Sequence, residues 1–136
     1  MERDDLGAMF ARITAQLIVA EKPILAAHDL SMWEYIALSE LGRQPAQSQL
    51  ALAKAIGYDK TRLIALLDAM EQRGLLQRTP DPTDRRARIV RLTTAGERLL
   101  KATRSEIRKM ETRFLRPIQR DQRELLLTTL AELSRG

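Results

Sequence analysis

Apolar positions along the chain change rhythm several times, and the changes mark out the elements. From residue 4 to about 27, Leu6, Met9, Phe10, Ile13, Leu17, Ile24 and Leu25 recur at near-helical spacing and predict a long first helix. Pro23 lies inside it and should kink it or split it after Lys22, because proline lacks an N–H and clashes with the preceding turn. Ser31, with Glu34 three positions on, makes a capping box for a second helix that presents Tyr35, Leu38 and Leu41 inward and ends near Gly42. Ser48 caps a short helix through Ile56, with Leu52, Ala53 and Ile56 inward and Gly57 as its left-handed stop. Asp59 caps the next, in which Leu63, Leu66, Leu67 and Met70 follow the i, i+3, i+4, i+7 pattern until Gly74. Two short helices joined by a tight glycine turn form a helix-turn-helix.

After Gly74 the period shortens to two. LLQRT and RIVRL read as strands, and the stretch PDPTDRRA between them cannot be helical at Pro80 or Pro82, so the segment is a β-hairpin with this stretch as its tip and Arg86 on the tip. Thr93 or Thr94 then caps a long helix to about Leu115, and Asp121 with Glu124 caps a last one containing Leu126, Leu127, Leu130 and Leu133. The fold class is mainly α with a small β-hairpin. At 136 residues the chain is one domain by length.

Charge sharpens the picture. The net +5 is concentrated, because residues 60–91 hold Lys60, Arg62, Arg73, Arg78, Arg85, Arg86, Arg88 and Arg91 against Asp68, Glu71, Asp81 and Asp84, or +4. A local basic surface on a small domain points to a polyanion, nucleic acid before membrane. The absence of cysteine excludes disulfides, thiolate chemistry and Cys-ligated zinc. No nucleophile sits with a base, no glycine loop cradles phosphate, and a single His28 beside Asp29 makes no metal site; the chain does not read as an enzyme, and no cofactor or metal is expected. His28, near a helix end, suits a C-terminal cap interaction. The acidic start, MERDDLGAM, and the lack of a long apolar run speak against a signal peptide or membrane span, so a cytoplasmic location is expected.

Asp84, Arg86, Leu92 and Thr93 spell D-x-R-x5-L-T, which resembles the wing signature of the MarR family of winged helix-turn-helix transcriptional regulators. LSMWEY, LAKAIGYDKT, LLDAMEQRGLL and LTTAGERLL extend the resemblance over roughly residues 30–100. The resemblance implies a winged lobe at 30–93, and a helical dimerisation region at 1–29 and 94–136 whose first and last helices interlock in a homodimer. It further implies a palindromic double-stranded DNA site, commonly repressed. The apolar LLL at 125–127 independently suits burial between subunits. Family effectors bind where lobe and dimerisation helices meet, which makes Arg12, His28, Trp33 and Tyr35 the candidates here for a small aromatic or anionic compound.

On the recognition helix the apolar stripe faces the core, leaving Thr61, Ile64, Ala65 and Asp68 toward the major groove with Lys60 and Arg62 flanking. Lys60 and Arg62 can reach phosphate or guanine, and the helix N-terminus favours a phosphate. Thr61 can bond a base edge or the backbone. Many family members are polar at the positions of Ile64 and Ala65, so thymine methyl contact is the chemistry left there. On the wing, Arg86 suits a narrow minor groove and Arg85 and Arg88 suit phosphates. The family associates the Asp84 and Arg86 positions, which implies that Asp84 orients an arginine and stiffens the loop. A sequence-blind nucleoid-type protein is the alternative; five aromatic residues in all argue against RNA stacking.

Overall fold

In the computed structural model, which describes residues 2–136, the chain forms α1 (Leu6–Ala27), α2 (Met32–Arg43), α3 (Gln49–Ile56), α4 (Lys60–Gln72), β1 (Leu76–Asp81), β2 (Asp84–Leu92), α5 (Thr94–Phe114) and α6 (Arg120–Ser134). Short polar bonds set the helix starts. Ser31 Oγ accepts from the Glu34 N–H at 3.2 Å while Glu34 Oε1 accepts from the Ser31 N–H at 2.9 Å, completing the capping box. Ser48 Oγ accepts from the Ala51 N–H at 3.0 Å and Thr93 Oγ1 from the Gly96 N–H at 3.1 Å. Gly57, at φ 68°, turns the chain from α3 into the Asp59 cap of α4, so the helix-turn-helix is built as its sequence predicts.

Three local expectations are corrected. α1 runs unbroken through Pro23. The missing N–H would have bonded the Val19 carbonyl, and Val19 is 71 % exposed, so water can replace the donor and the helix need not split. α6 starts after Gln119, which makes no side-chain cap; Asp121 lies within the first turn, where a carboxylate still suits the positive end of the helix dipole. The hairpin turns at Pro82 and Thr83, because Asp81 pairs with Asp84. Asp81 Oδ1 accepts from both the Thr83 N–H and its hydroxyl at 2.8 Å, and these bonds, the backbone one first, hold the Asp81 carboxyl below its ordinary range. Arg86 is therefore on strand β2 and not at the tip.

The core sits where α2, α3, α4, the base of the hairpin and one face of α5 meet: Leu38, Leu52, Leu63, Leu67, Met70, Leu76 and Val90 are fully buried, joined by Leu100 and Ile107. Thr103, also buried, donates its hydroxyl to the Leu99 carbonyl at 2.8 Å. α5 is seated by its first turn. The Thr93 hydroxyl donates to the Gly74 carbonyl at 2.6 Å and the Thr93 N–H to the Leu75 carbonyl at 3.1 Å. Gly96 then packs so close to that Leu75 carbonyl that a β-carbon there would overlap it, whereas at Gly42 a β-carbon would meet only the end of the Leu100 side chain. The ends of the chain differ. α6 has no buried residue and α1 only Leu25, while Leu6, Val19, Leu125, Leu127 and Leu133 are more than half exposed.

One guanidinium joins three elements within this lobe. Arg78 of β1, its side chain 13 % exposed, meets Asp68 Oδ1 at 2.6 Å and Glu71 Oε1 at 2.7 Å, both on α4, and donates to Gln49 Oε1 of α3 at 3.1 Å. Its backbone N–H donates to Glu71 Oε2 at 3.1 Å. On the other strand, Val90 exchanges two backbone bonds with Ala46, of 3.0 and 2.9 Å. The side-chain bonds of Arg78, then its backbone N–H and the nearby Arg88 charge, hold the Glu71 carboxyl below its ordinary range.

Gly96→Ala should destabilise the fold by about 1–3 kcal/mol in chemical denaturation, because the displaced atom is backbone, and Gly42→Ala by less, because a leucine end can move. Acid unfolding checks the Arg78 cluster. A carboxylate whose folded pKa is depressed stabilises the protein fully above its unfolded value, near 4.5, and loses that contribution as pH falls through the lower folded value. Glu71→Gln should therefore lower stability at neutral pH and flatten its decline below pH 4.5; an unchanged acid limb refutes the assignment.

Candidate nucleic-acid interface

The first turns of α4 present Lys60, Thr61, Arg62 and Ala65 to solvent, with Ile64 half-buried beside them. This follows from the helix itself. Leu63, Leu67 and Met70 are drawn into the core, and residues on the opposite side have nowhere else to point. Asp59 Oδ2 accepts from the Arg62 N–H at 2.9 Å, so the start of α4 already carries a carboxylate, and an approaching phosphate relies on Lys60 and Arg62 more than on free backbone donors.

Asp68, expected to face the groove, lies exposed on that side of α4 and is paired with Arg78. Arg78 is the residue that sequence reasoning missed, counting it only among the basic residues of 60–91. Asp68 and Glu71 lie three apart on one helix face, and that spacing was the available signal for a shared cation. The partner's position seven residues beyond, on a strand, could not be read from periodicity.

On the hairpin, Arg85, Arg86 and Arg88 are all exposed. Asp84 Oδ1 accepts from the Arg86 backbone N–H at 2.9 Å. Among the described residues it makes no ion pair, so its observed hold is on the backbone of Arg86 and not on a guanidinium. No hydrogen bond or ion pair joins Lys60, Thr61 or Arg62 to the wing arginines; the two groups are connected through the Arg78 cluster.

Pairing also sorts the charges. Arg73 pairs with Glu34 at 3.3 Å and Arg78 with Asp68 and Glu71, while Asp81 and Asp84 accept bonds within the hairpin. Lys60, Arg62, Arg85, Arg86, Arg88 and Arg91 make no ion pair among the described residues. The acids of this region are thus consumed by its scaffold, and its unneutralised cations lie on its surface. Such a face attracts a polyanion by counterion release, and an exposed helix beside an exposed hairpin matches a groove and its flank.

The effector candidates do not converge. Trp33 stacks on Tyr58, with ring centroids 4.3 Å apart, against the turn before α4. Arg12 pairs with Asp4 near the N-terminus, and Tyr35 packs half-buried against the core. His28 alone lines a cleft of about 570 Å³ between the end of α1 and α5, with Pro23, Ile24, Ala102, Ser105 and Glu106. Its backbone N–H, donating to the Leu25 carbonyl at 3.0 Å, terminates α1. No helix among the described residues is long and apolar enough to cross a membrane.

Comparison with known proteins follows the same lines. Residues 28–87 match the model of the MarR family. The transcriptional repressor CouR bound to a 23-mer DNA duplex is 28% identical, covers 98% of this chain and 99% of its own, and superposes with a TM-score of 0.82. CouR from Rhodococcus jostii RHA1 bound to p-coumaroyl-CoA is 27% identical over 96% of this chain and 92% of its own, with a TM-score of 0.78. Wild-type MarR from E. coli, 20% identical over 97% and 98% of the two chains, shares the fold at a TM-score of 0.85. Across the helix-turn-helix and most of the wing the chain is similar to the MarR family, and along its whole length it shares the winged helix fold of these MarR-family transcriptional regulators.

Proposed function

We propose that the chain acts as a homodimeric repressor that reads a palindromic operator in double-stranded DNA and is released by a small aromatic or anionic effector. The observation that carries the DNA reading is the set of unpaired cations, Lys60 and Arg62 at the start of α4 and Arg85, Arg86 and Arg88 on β2, on either side of a neutralised scaffold. α4 enters the major groove. Thr61 meets a base edge or the backbone, Ile64 and Ala65 meet thymine methyls, and Lys60 and Arg62 reach phosphate or guanine. The wing lies over the flank, with Arg86 toward the minor groove and Arg85 and Arg88 on phosphates. Asp84 orients Arg86 through its backbone N–H. CouR, in its DNA-bound form, supports the placement by likeness.

Exposed apolar surface on α1 and α6 supports the dimer, since a monomer seldom leaves so many leucines uncovered along two helices. The α1–α5 cleft, lined by His28, supports an effector site where lobe and dimerisation helices meet, and CouR's p-coumaroyl-CoA complex supports an aromatic acyl class. An effector that fits one spacing of the two α4 helices better than another shifts the population between them. Trp33, Tyr35 and Arg12 respond to that shift from outside the cleft. On this reading the protein acts on the chromosome in the cytoplasm. A sequence-blind architectural protein would show no preference for a selected site over random competitor DNA, and that competition is the deciding experiment.

Log affinity against log salt on the selected operator should separate the two groups. Arg86→Ala should weaken binding, lower the salt slope by up to about 2 for the dimer, and alter preference only at the flanks. Thr61→Ala should alter preference within the half-site and leave the slope nearly intact. Parent-like binding by Arg86→Ala at every salt concentration would mean that the wing is a solvated turn.

Leu125→Glu tests the dimer. Leu125 is 68 % exposed in the single chain, so the substitution should leave the α2–α5 core folded while shifting the species in sedimentation from dimer to monomer and weakening operator binding in parallel. A variant that stays dimeric at micromolar concentration counts against α6 as interface.

A further inference from the structure

We infer that Arg78 is a positioning residue that sets the distance between the helix-read half-site and the wing-read flank. This role rests on the DNA-reading assignment above and adds to it a residue that touches no DNA. Among the described residues no hydrogen bond or ion pair ties positions 79–89 to any helix. The hairpin beyond the Arg78 and Val90 rung is therefore a lever, and its angle is fixed at that rung. Two attachments act there. Val90 is bonded to Ala46 by backbone, which anchors β2, and Arg78 anchors β1 through side chains of α3 and α4.

The chemistry of the second anchor makes it specific. A guanidinium offers donors in a fixed plane, and here Nε and the two terminal nitrogens are shared among Glu71, Asp68 and Gln49. Satisfying three side chains from two helices at once leaves β1 little freedom to tilt about α4. The backbone N–H bond to Glu71 adds a second constraint on the same residue, against rotation of the strand. Lysine, with a compact ammonium and no plane, cannot reproduce this set.

The same contacts remove a repulsion. Asp68 lies on α4 beyond Ala65, on the side left toward DNA, and its carboxylate would oppose phosphate if unpaired. Arg78 thus performs two tasks: it aims the wing and neutralises an acid on the helix face left toward DNA.

A double-mutant cycle on operator DNA tests the inference. Arg86→Ala should weaken binding about tenfold or more in the parent but less than about threefold in Arg78→Met, because a wing without its anchor no longer delivers Arg86 to the flank. A merely structural role would lower the fraction of competent protein, counted by tight-binding titration, and leave that ratio unchanged. Inserting one base pair between half-site and flank should weaken the parent and be tolerated by Arg78→Met. Glu71→Gln, which keeps the shape of the cluster and removes one charge, should reduce the ratio partway and serves if Arg78→Met fails to fold; Arg78→Lys should not restore it. Equal Arg86→Ala effects in all backgrounds overturn the inference. If the parent itself shows no preference for the selected operator over random DNA, the DNA-reading assignment fails first, and the two failures are thus distinguishable.

Discussion

A charged group seldom lies near a core unless its partners are close, and the partners then become fixed in turn. Arg78 imposes that constraint on this lobe. Its guanidinium needs acceptors, and those within reach sit on the two helices of the helix-turn-helix, so the strand that carries it cannot leave them. Replacing the set with apolar side chains could give equal stability, but the orientation would then be set by packing alone, which tolerates sliding that a forked hydrogen-bonding plane does not. The core beneath, from Leu38 to Val90, holds the elements together; the polar cluster above it decides their angles.

The chain divides its apolar surface unevenly. Its middle buries leucines on one face of each short helix, and α5 closes the layer by bringing Gly96 against the Leu75 carbonyl. Its ends do otherwise, since no residue of α6 is fully buried within the chain. α5 belongs to both regions: Leu100 and Thr103 are buried, and further along the helix Arg108, Glu111 and Thr112 border a cleft of about 650 Å³ against α6. A helix shared in this way packs on both the helix-turn-helix lobe and the ends of the chain.

How much of this could be read from the sequence depends on the range of the interaction. Capping is local, so Ser31, Ser48, Asp59 and Thr93 were legible from a side chain and the third residue after it. The apolar face of α4 was legible for the same reason, and the exposed placement of Lys60, Thr61 and Arg62 followed from it. Pro23 misled because its penalty depends on whether the freed carbonyl has water to turn to, which composition does not reveal. Asp121 and Glu124 have capping-box spacing, yet Gln119 begins the helix, a boundary shift of the kind that side-chain spacing alone resolves poorly. The pairing of Asp68 was not legible because its partner lies ten positions on, across a turn and on a strand. Arg86 was displaced from the tip by a turn that Asp81 and Thr83 make between themselves.

A lone hairpin offers two open edges to any other extended chain, and both are interrupted here. Backbone donors along one edge of a strand recur every second residue. On the outer edge of β1 the Arg78 donor is occupied by Glu71, and two positions on stands Pro80, which has none. On the outer edge of β2, Val90 is paired with Ala46, and beyond Arg88, where the register shifts, the Arg86 donor is taken by Asp84. Carboxylates thus end the ladder on both sides, and a strand approaching from solvent would have to displace them before it could pair. The hairpin thus projects into solution with its open edges interrupted, and the carboxylates that fix its turn and its base also disfavour pairing with a second copy of itself.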